Sequence, residues 1–150
     1  MPSAIVSDSS CLILFHKIGR LSLLKGLFGQ IIITSAVAEE FNRDIPSWIR
    51  IQDPTSNLHK GLITTLDLGE ATSIALASEI EDSLLIVDEI KGRKVAHALN
   101  LTITGSLGIL LMAKKKGLIQ EVNPFLDEIK RTNFRISSAL MAKILQLADE

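Results

Sequence analysis

The sequence predicts an α/β domain built on a short, mostly parallel sheet of four to five strands flanked by helices. Short apolar runs alternate along the chain with longer segments of helical periodicity, which is the order expected for βαβ units. The runs are almost uniformly apolar, as is typical of strands that helices cover on both faces. The 150 residues are the size of one ordinary domain, so we expect a single domain over 1–150.

The first half of the chain is expected to hold two strands and three helices. Residues 4–7 (AIVS) are predicted as a strand, and Ser9 and Ser10 are predicted to cap the helix that follows at 11–18. A helix at 21–27, a β-branched strand at 30–33 and a helix that begins after Thr34 and Ser35 come next. Residues 43–64 are rich in turn formers and are predicted as a loop with one short helical turn.

The second half alternates more regularly. Asp67-Leu68-Gly69-Glu70 opens a strongly periodic helix, and two further strands are predicted at 84–87 and 101–104. The remaining helices are expected at 91–99, 107–116, 124–131 and 137–147.

Composition excludes several classes of protein. The longest apolar run, around 107–112, is far shorter than the roughly 20 residues of a membrane span. The N-terminus has no basic segment followed by a long apolar stretch, so we expect no signal peptide and a cytoplasmic protein without a membrane partner. One cysteine, Cys11, excludes an intrachain disulfide and a zinc site with several cysteines.

Charge is divided unevenly along the chain. Residues 1–90 carry 6 basic and 12 acidic side chains, whereas residues 91–135 carry 9 basic and 3 acidic ones. This division suits an acidic metal site beside a phosphate-binding surface, although solvated helix faces explain each single charge equally well. The predicted nucleic-acid-binding residues are Arg93, Lys94, Lys114, Lys115 and Lys116.

Four carboxylates occupy positions where parallel α/β sheets bind ligands. Asp8 and Asp88 directly follow apolar strands, Glu70 stands at the start of its helix, and Glu40 lies about one turn into its own. Each acid could instead be a helix cap or a partner of the helix dipole. Taken together, the four are expected to line one pocket.

A cluster of carboxylates is self-repulsive unless a cation occupies it. Oxygen donors without soft ligands favour Mg²⁺ or Mn²⁺, which can activate water for attack on a phosphodiester. Four further side chains are candidates for support: Ser9 near the ion, Glu89 by way of water, Arg93 towards a phosphate or an acid, and Ser106 at a helix start. Each of these also fits an ordinary cap, turn or surface role.

The acids fall within four stretches that cover nearly the whole chain: IVSDSSCLILFHKIGRLSLL, IIITSAVAEEF, LDLGEATSIALA and LLIVDEIKGRKVAHALNLTITGSLGILLMAKKKGLI. Together they resemble the PIN-domain family, most closely its prokaryotic branch of predicted nucleic-acid-binding proteins related to VapC-type toxins. The family's four acids correspond in order to Asp8, which is followed by Ser, Glu40 in a V-x-x-E pattern, Glu70 in a Gly-Glu pair, and Asp88. Arg93 and the GSLG turn at 105–108 also fit this branch.

This sequence departs from the family pattern at two places. Position 70 is Glu where the toxins usually have Asp, which puts the metal geometry in doubt, and Thr34-Ser35 stands where proline is common.

The resemblance implies a PIN-like three-layer sandwich and a metal-dependent endoribonuclease, the toxin of a toxin–antitoxin pair. It also implies RNA as substrate, a small antitoxin protein as partner, and a homodimer. The alternative is a non-catalytic PIN-like module that binds nucleic acid or a partner. A receiver or phosphatase domain is disfavoured, because the nucleophile motif and the strand lysine of those classes are missing.

Overall fold

The computed structural model describes residues 2–150, which form one five-stranded sheet with helices on both faces. All strand pairs are parallel, and the strand order is β3-β2-β1-β4-β5. The strands are β1 (Ala4–Ser7), β2 (Ile31–Ile33), β3 (Ile49–Ile51), β4 (Ser83–Ile86) and β5 (Thr102–Thr104). The helices are α1 (Ser9–Lys17), α2 (Ser22–Phe28), α3 (Ser35–Phe41), α4 (Leu58–Leu62), α5 (Leu68–Glu79), α6 (Ile90–Ala98), α7 (Ser106–Lys115), α8 (Asn123–Lys130) and α9 (Ser138–Leu147).

Two separate cores lie on the two faces of the sheet. Successive strand residues point to opposite faces, so Ile5 and Leu84 join one core while Val6 and Leu85 join the other. Helices α1, α2, α3, α7, α8 and α9 contribute to the first core, and α5 and α6 contribute to the second. Covering on both faces explains why the strands are apolar throughout, and the predicted three-layer α/β fold is confirmed.

One strand was missed within the stretch predicted as a loop. Strand β3 has three residues, pairs with β2 alone, and buries only Ile49, while Arg50 and Ile51 are exposed. A short edge strand with one buried position has no apolar run and no clear alternation, so the sequence pattern does not reveal it.

The sheet brings the ends of neighbouring strands together. Ser7 pairs with Ile86, and the Asp8 amide donates to the Ile86 carbonyl at 2.9 Å, so the residues after β1 and β4 lie side by side. Asp8 itself caps α1, which begins at Ser9; Ser9 and Ser10 were predicted as the caps but are the first helical residues. Across the described residues, none of the helices has the length and hydropathy that crossing a membrane requires.

Candidate active site

Asp8 is the most buried of the four predicted acids. Its side chain is 2% exposed, and Oδ1 accepts a 2.7 Å hydrogen bond from the Ser9 amide. Burial raises the pKa of Asp8 to about 8, and the nearby carboxylates of Glu70, Asp67 and Glu40 raise it further against the effect of the Ser9 bond. The negative charges of three other acids therefore act on Asp8.

Glu40 approaches this group from α3. The Ser9 hydroxyl donates to Glu40 Oε2 at 3.3 Å, which connects the start of α1 with the last turn of α3 through a side chain predicted to support the site. Burial and the neighbouring Asp67 raise the pKa of Glu40. Glu40 and its neighbour Glu39 are both exposed.

Glu70 lies at the start of α5 and is 6% exposed. Burial raises its pKa to about 7, and the neighbouring carboxylates of Asp67 and then Glu89 contribute. Its Oε2 atom is buried and, among the residues described, has no hydrogen-bond partner. A buried carboxylate oxygen without a partner is costly, so this atom is available to a cation or an ordered water.

Asp67 is a member of the group that the sequence analysis did not single out. It caps α5 by accepting a 2.8 Å hydrogen bond from the Glu70 amide, and it raises the pKa of Asp8, Glu40 and Glu70. The D-x-x-E spacing before a periodic helix indicated a cap, but nothing local indicated that this cap faces two other elements. We refer to Asp8, Glu40, Asp67 and Glu70 as the acidic cluster.

Two glycines make room for the acidic cluster. A Cβ on Gly69 would lie 1.8 Å from Glu40 Oε1, and a Cβ on Gly92 would lie 2.7 Å from Glu70 Oε2. The carboxylates therefore fill the spaces that side chains on α5 and α6 would otherwise occupy. Glycine weakens a helix, but only glycine leaves enough space for these carboxylates at positions 69 and 92.

Asp88 lies beyond the end of β4 and has its own hydrogen-bond partners. Oδ1 accepts from the Ser106 amide at 2.8 Å, and Oδ2 accepts from the Ser106 hydroxyl at 2.6 Å. Burial raises the pKa of Asp88, whereas the Ser106 bonds and the charge of Arg93 lower it. Arg93 is held nearby by donating from Nη1 to the Val87 carbonyl at 2.8 Å. Asp8 and Asp88 together influence the buried Cys11 thiol, whose pKa is raised mainly by burial.

Two cavities of the described structure have predicted acids in their walls. Asp88 and Glu89 line a cavity of about 490 Å³, whereas Glu40 lines another of about 310 Å³. Ile13 and Lys17 on the outer face of α1 line both, so the two cavities flank this helix. The structure thus keeps Asp8, Glu40 and Glu70 together and sets Asp88 at the next strand end.

The predicted basic residues are spread along two helices. Arg93 lies beside Asp88, and Lys94 is exposed on α6. Lys114, Lys115 and Lys116 end α7, about 15 Å along the helix axis from its start at Ser106. Lys114 donates to the Ala148 carbonyl and forms a 3.0 Å ion pair with Glu150, and Lys116 lies near the Leu27 carbonyl. Arg93 therefore lies beside Asp88, whereas the three lysines lie at the other end of α7.

The donor set suits a hard divalent cation. Over residues 2–150, no three Asp, Glu, His or Cys side chains are arranged as a complete metal-binding group. The cluster nevertheless offers only oxygen donors, its carboxylates raise one another's pKa, and Glu70 Oε2 has no partner. A bound Mg²⁺ or Mn²⁺ would offset the repulsion and supply that partner, so the residues present fit such an ion.

Comparison with known proteins identifies a family. A family model described as a PIN domain matches residues 4–150, which include every strand and helix of the fold and all four predicted acids. No curated protein matches the chain.

Proposed function

Because this chain belongs to the PIN-domain family, whose fold is of the nuclease type, we propose that it is a metal-dependent endoribonuclease that hydrolyses RNA phosphodiester bonds. The observation that carries the proposal is the acidic cluster. Its carboxylates come from the starts of α1 and α5 and from α3, and they lie close enough to raise one another's pKa, with Asp8 and Glu70 buried. Such an arrangement is costly for stability alone, and a cation and its substrate would remove the cost.

In this proposal, Asp8, Glu40, Glu70 and Asp88 hold the ion. When bound, Mg²⁺ or Mn²⁺ would lower the pKa of an attacking water and offset charge on the phosphate. Ser9 orients Glu40 and Ser106 fixes both oxygens of Asp88, so these two serines set the directions of the acids. Arg93 is held where it can face a phosphate, and Glu89 adds a further carboxylate at the rim.

The finer assignment within the family follows the same reasoning. We propose a cytoplasmic VapC-like toxin that acts on RNA, forms a homodimer and is neutralised by a small antitoxin protein. The four acids at the family's positions support activity, since a module without catalysis has no need to bury two like charges, Asp8 and Glu70, near each other.

The decisive experiment compares RNA cleavage by the wild type with cleavage by Asp8→Asn and Asp88→Asn in Mg²⁺ or Mn²⁺. We expect both variants to lose cleavage by orders of magnitude while RNA binding persists. Asp44→Asn, an exposed acid on the loop after α3, is the matched control and should cleave normally. If the wild type cleaves no RNA and the variants behave like it in cells, the chain is a binding module and the proposal is wrong.

A further inference from the structure

A groove runs beside the candidate active site along the outer face of α1. It is the cavity of about 490 Å³, closed on one side by α1 and on the other by residues 133–135 between α8 and α9. Asp88 and Glu89 lie in its wall together with two cations, Lys17 and Arg135. We call this cavity the α1 groove, and its wall is continuous with the residues proposed to cleave RNA.

The two cations of the α1 groove form no ion pair with the described residues. Lys17 Nζ donates to Asn133 Oδ1 at 2.7 Å, and this partner is an uncharged amide. In the described chain, the ion pairs within 4.0 Å involve Arg20, Lys114 and Lys130, and none involves Lys17 or Arg135. Both cations are therefore available to an anion, next to the carboxylates of Asp88 and Glu89.

Lys17 also faces the second cavity, on the other flank of α1. That cavity of about 310 Å³ contains Glu40 and two more basic side chains, His16 and Arg43. An anionic chain that crosses α1 at Lys17 would thus pass from the side of Glu40 to the side of Asp88. This path leads past both halves of the candidate site.

Apolar side chains complete the surface. Ile90, at the start of α6, is 70% exposed, and Phe134 and Ile13 are partly buried in the wall of the groove. Aromatic and aliphatic side chains of this kind contact unstacked bases, while lysine and arginine contact the phosphates. Alternating cations and apolar contacts are a feature of surfaces that bind single nucleic-acid strands.

We propose that the α1 groove holds the RNA strand next to the bond that is cleaved, with Lys17 and Arg135 as phosphate contacts and Phe134 as a contact for a base. The proposal rests on the proposed function for its substrate, and it assigns a binding surface that differs from the lysines at the end of α7. Lys17 and Arg135 position the strand and take no part in the chemistry.

The test measures RNA binding without cleavage. In the Asp8→Asn background, the affinity for a fluorescently labelled single-stranded RNA is measured by anisotropy over a range of salt concentrations. Lys17→Ala and Arg135→Ala should each weaken binding and each reduce the slope of log K against log salt by about 0.7, the value for one phosphate contact on a single strand. Lys17→Arg retains the charge and should retain the slope.

Two kinds of control make the result specific. Lys25→Ala and Arg50→Ala remove exposed cations that lie in neither cavity, and they should leave the slope unchanged. Lys115→Ala tests the surface that the charge pattern of the sequence favours. Thermal melting of each variant establishes that it is folded.

The outcomes separate this proposal from the proposed function. If the Asp8→Asn parent does not bind RNA, or if Lys17→Ala and Arg135→Ala keep its slope, the proposal is overturned and the groove is left to another occupant such as an acidic protein segment. If Lys115→Ala alone reduced the slope, the proposal would be overturned as well. If the slopes fall as expected although the wild type cleaves no RNA, the groove binds RNA and only the enzymatic function fails.

Discussion

Replacing Asp8 by Asn should stabilise the metal-free protein, and the gain should grow as pH rises. Burial raises the pKa of Asp8 from 3.8 to about 8, so between these values the folded state holds a proton that the unfolded state releases. The stability of the wild type therefore falls as pH rises through this window. Asn removes the charge and caps a helix as well as Asp does, so the bond from Ser9 is retained.

The size of the effect follows from the pKa. A rise of about four pKa units, at about 1.4 kcal/mol per unit, sets an upper bound of about 5–6 kcal/mol. Local relaxation and water penetration reduce the cost of a buried charge, so we expect about 2–3 kcal/mol at pH 8. In a domain of this size, that corresponds to an increase in Tm of roughly 5–10 °C.

The assay is thermal unfolding in a chelator at several values between about pH 4 and about pH 8. The matched control is Asp53→Asn, because hydrogen bonds from the Ser35 side chain and amide lower the pKa of Asp53. The charged form of Asp53 stabilises the fold above its unfolded pKa, so this variant should be less stable than the wild type at neutral pH, and the difference should shrink only towards the acid end of the range. An advantage of Asp8→Asn that stays constant or shrinks towards pH 8 would refute the reasoning.

Three other predictions follow from the site. Mn²⁺ should raise the Tm of the wild type by preferential binding to the folded state, and calorimetric titration should show weaker binding once an acid of the cluster becomes an amide. Gly69→Ala should displace the Glu40 carboxylate and lower RNA cleavage while adding about 0.5–1 kcal/mol of stability, whereas Gly61→Ala, which meets no atom within 4 Å, should not affect cleavage. Ser106→Ala removes the 2.6 Å bond to Asp88 Oδ2 and should cost about 1–3 kcal/mol in chemical denaturation, with an unchanged midpoint contradicting the role given to that bond.

Local patterns were sufficient for most of the fold. Strands β1, β2, β4 and β5 and the helices between them were predicted within one or two residues, because a strand covered on both faces is apolar throughout and a helix repeats every 3.6 residues. Strand β3 was missed because an edge strand with one buried residue leaves no such pattern. The family was also apparent from the order and spacing of its acids, and the match over residues 4–150 confirms it.

The sequence was enough to identify the candidate acids, since Asp8 and Asp88 follow strands, Glu70 begins a helix and Glu40 lies about one turn into another. Only the tertiary structure decided how they are grouped. Asp67, 59 positions after Asp8, raises the pKa of Asp8, and Asp88 is held by Ser106, 18 positions after it.

For the basic residues too, the sequence and the tertiary structure give different information. Charge counted along the chain favoured the lysines at 114–116, whereas the fold brings Lys17 and Arg135, 118 positions apart, into one groove beside Asp88. Periodicity and capping act over a few residues, so they specify elements. Electrostatic and packing contacts depend on distance in space, and only the folded chain determines which distant residues meet.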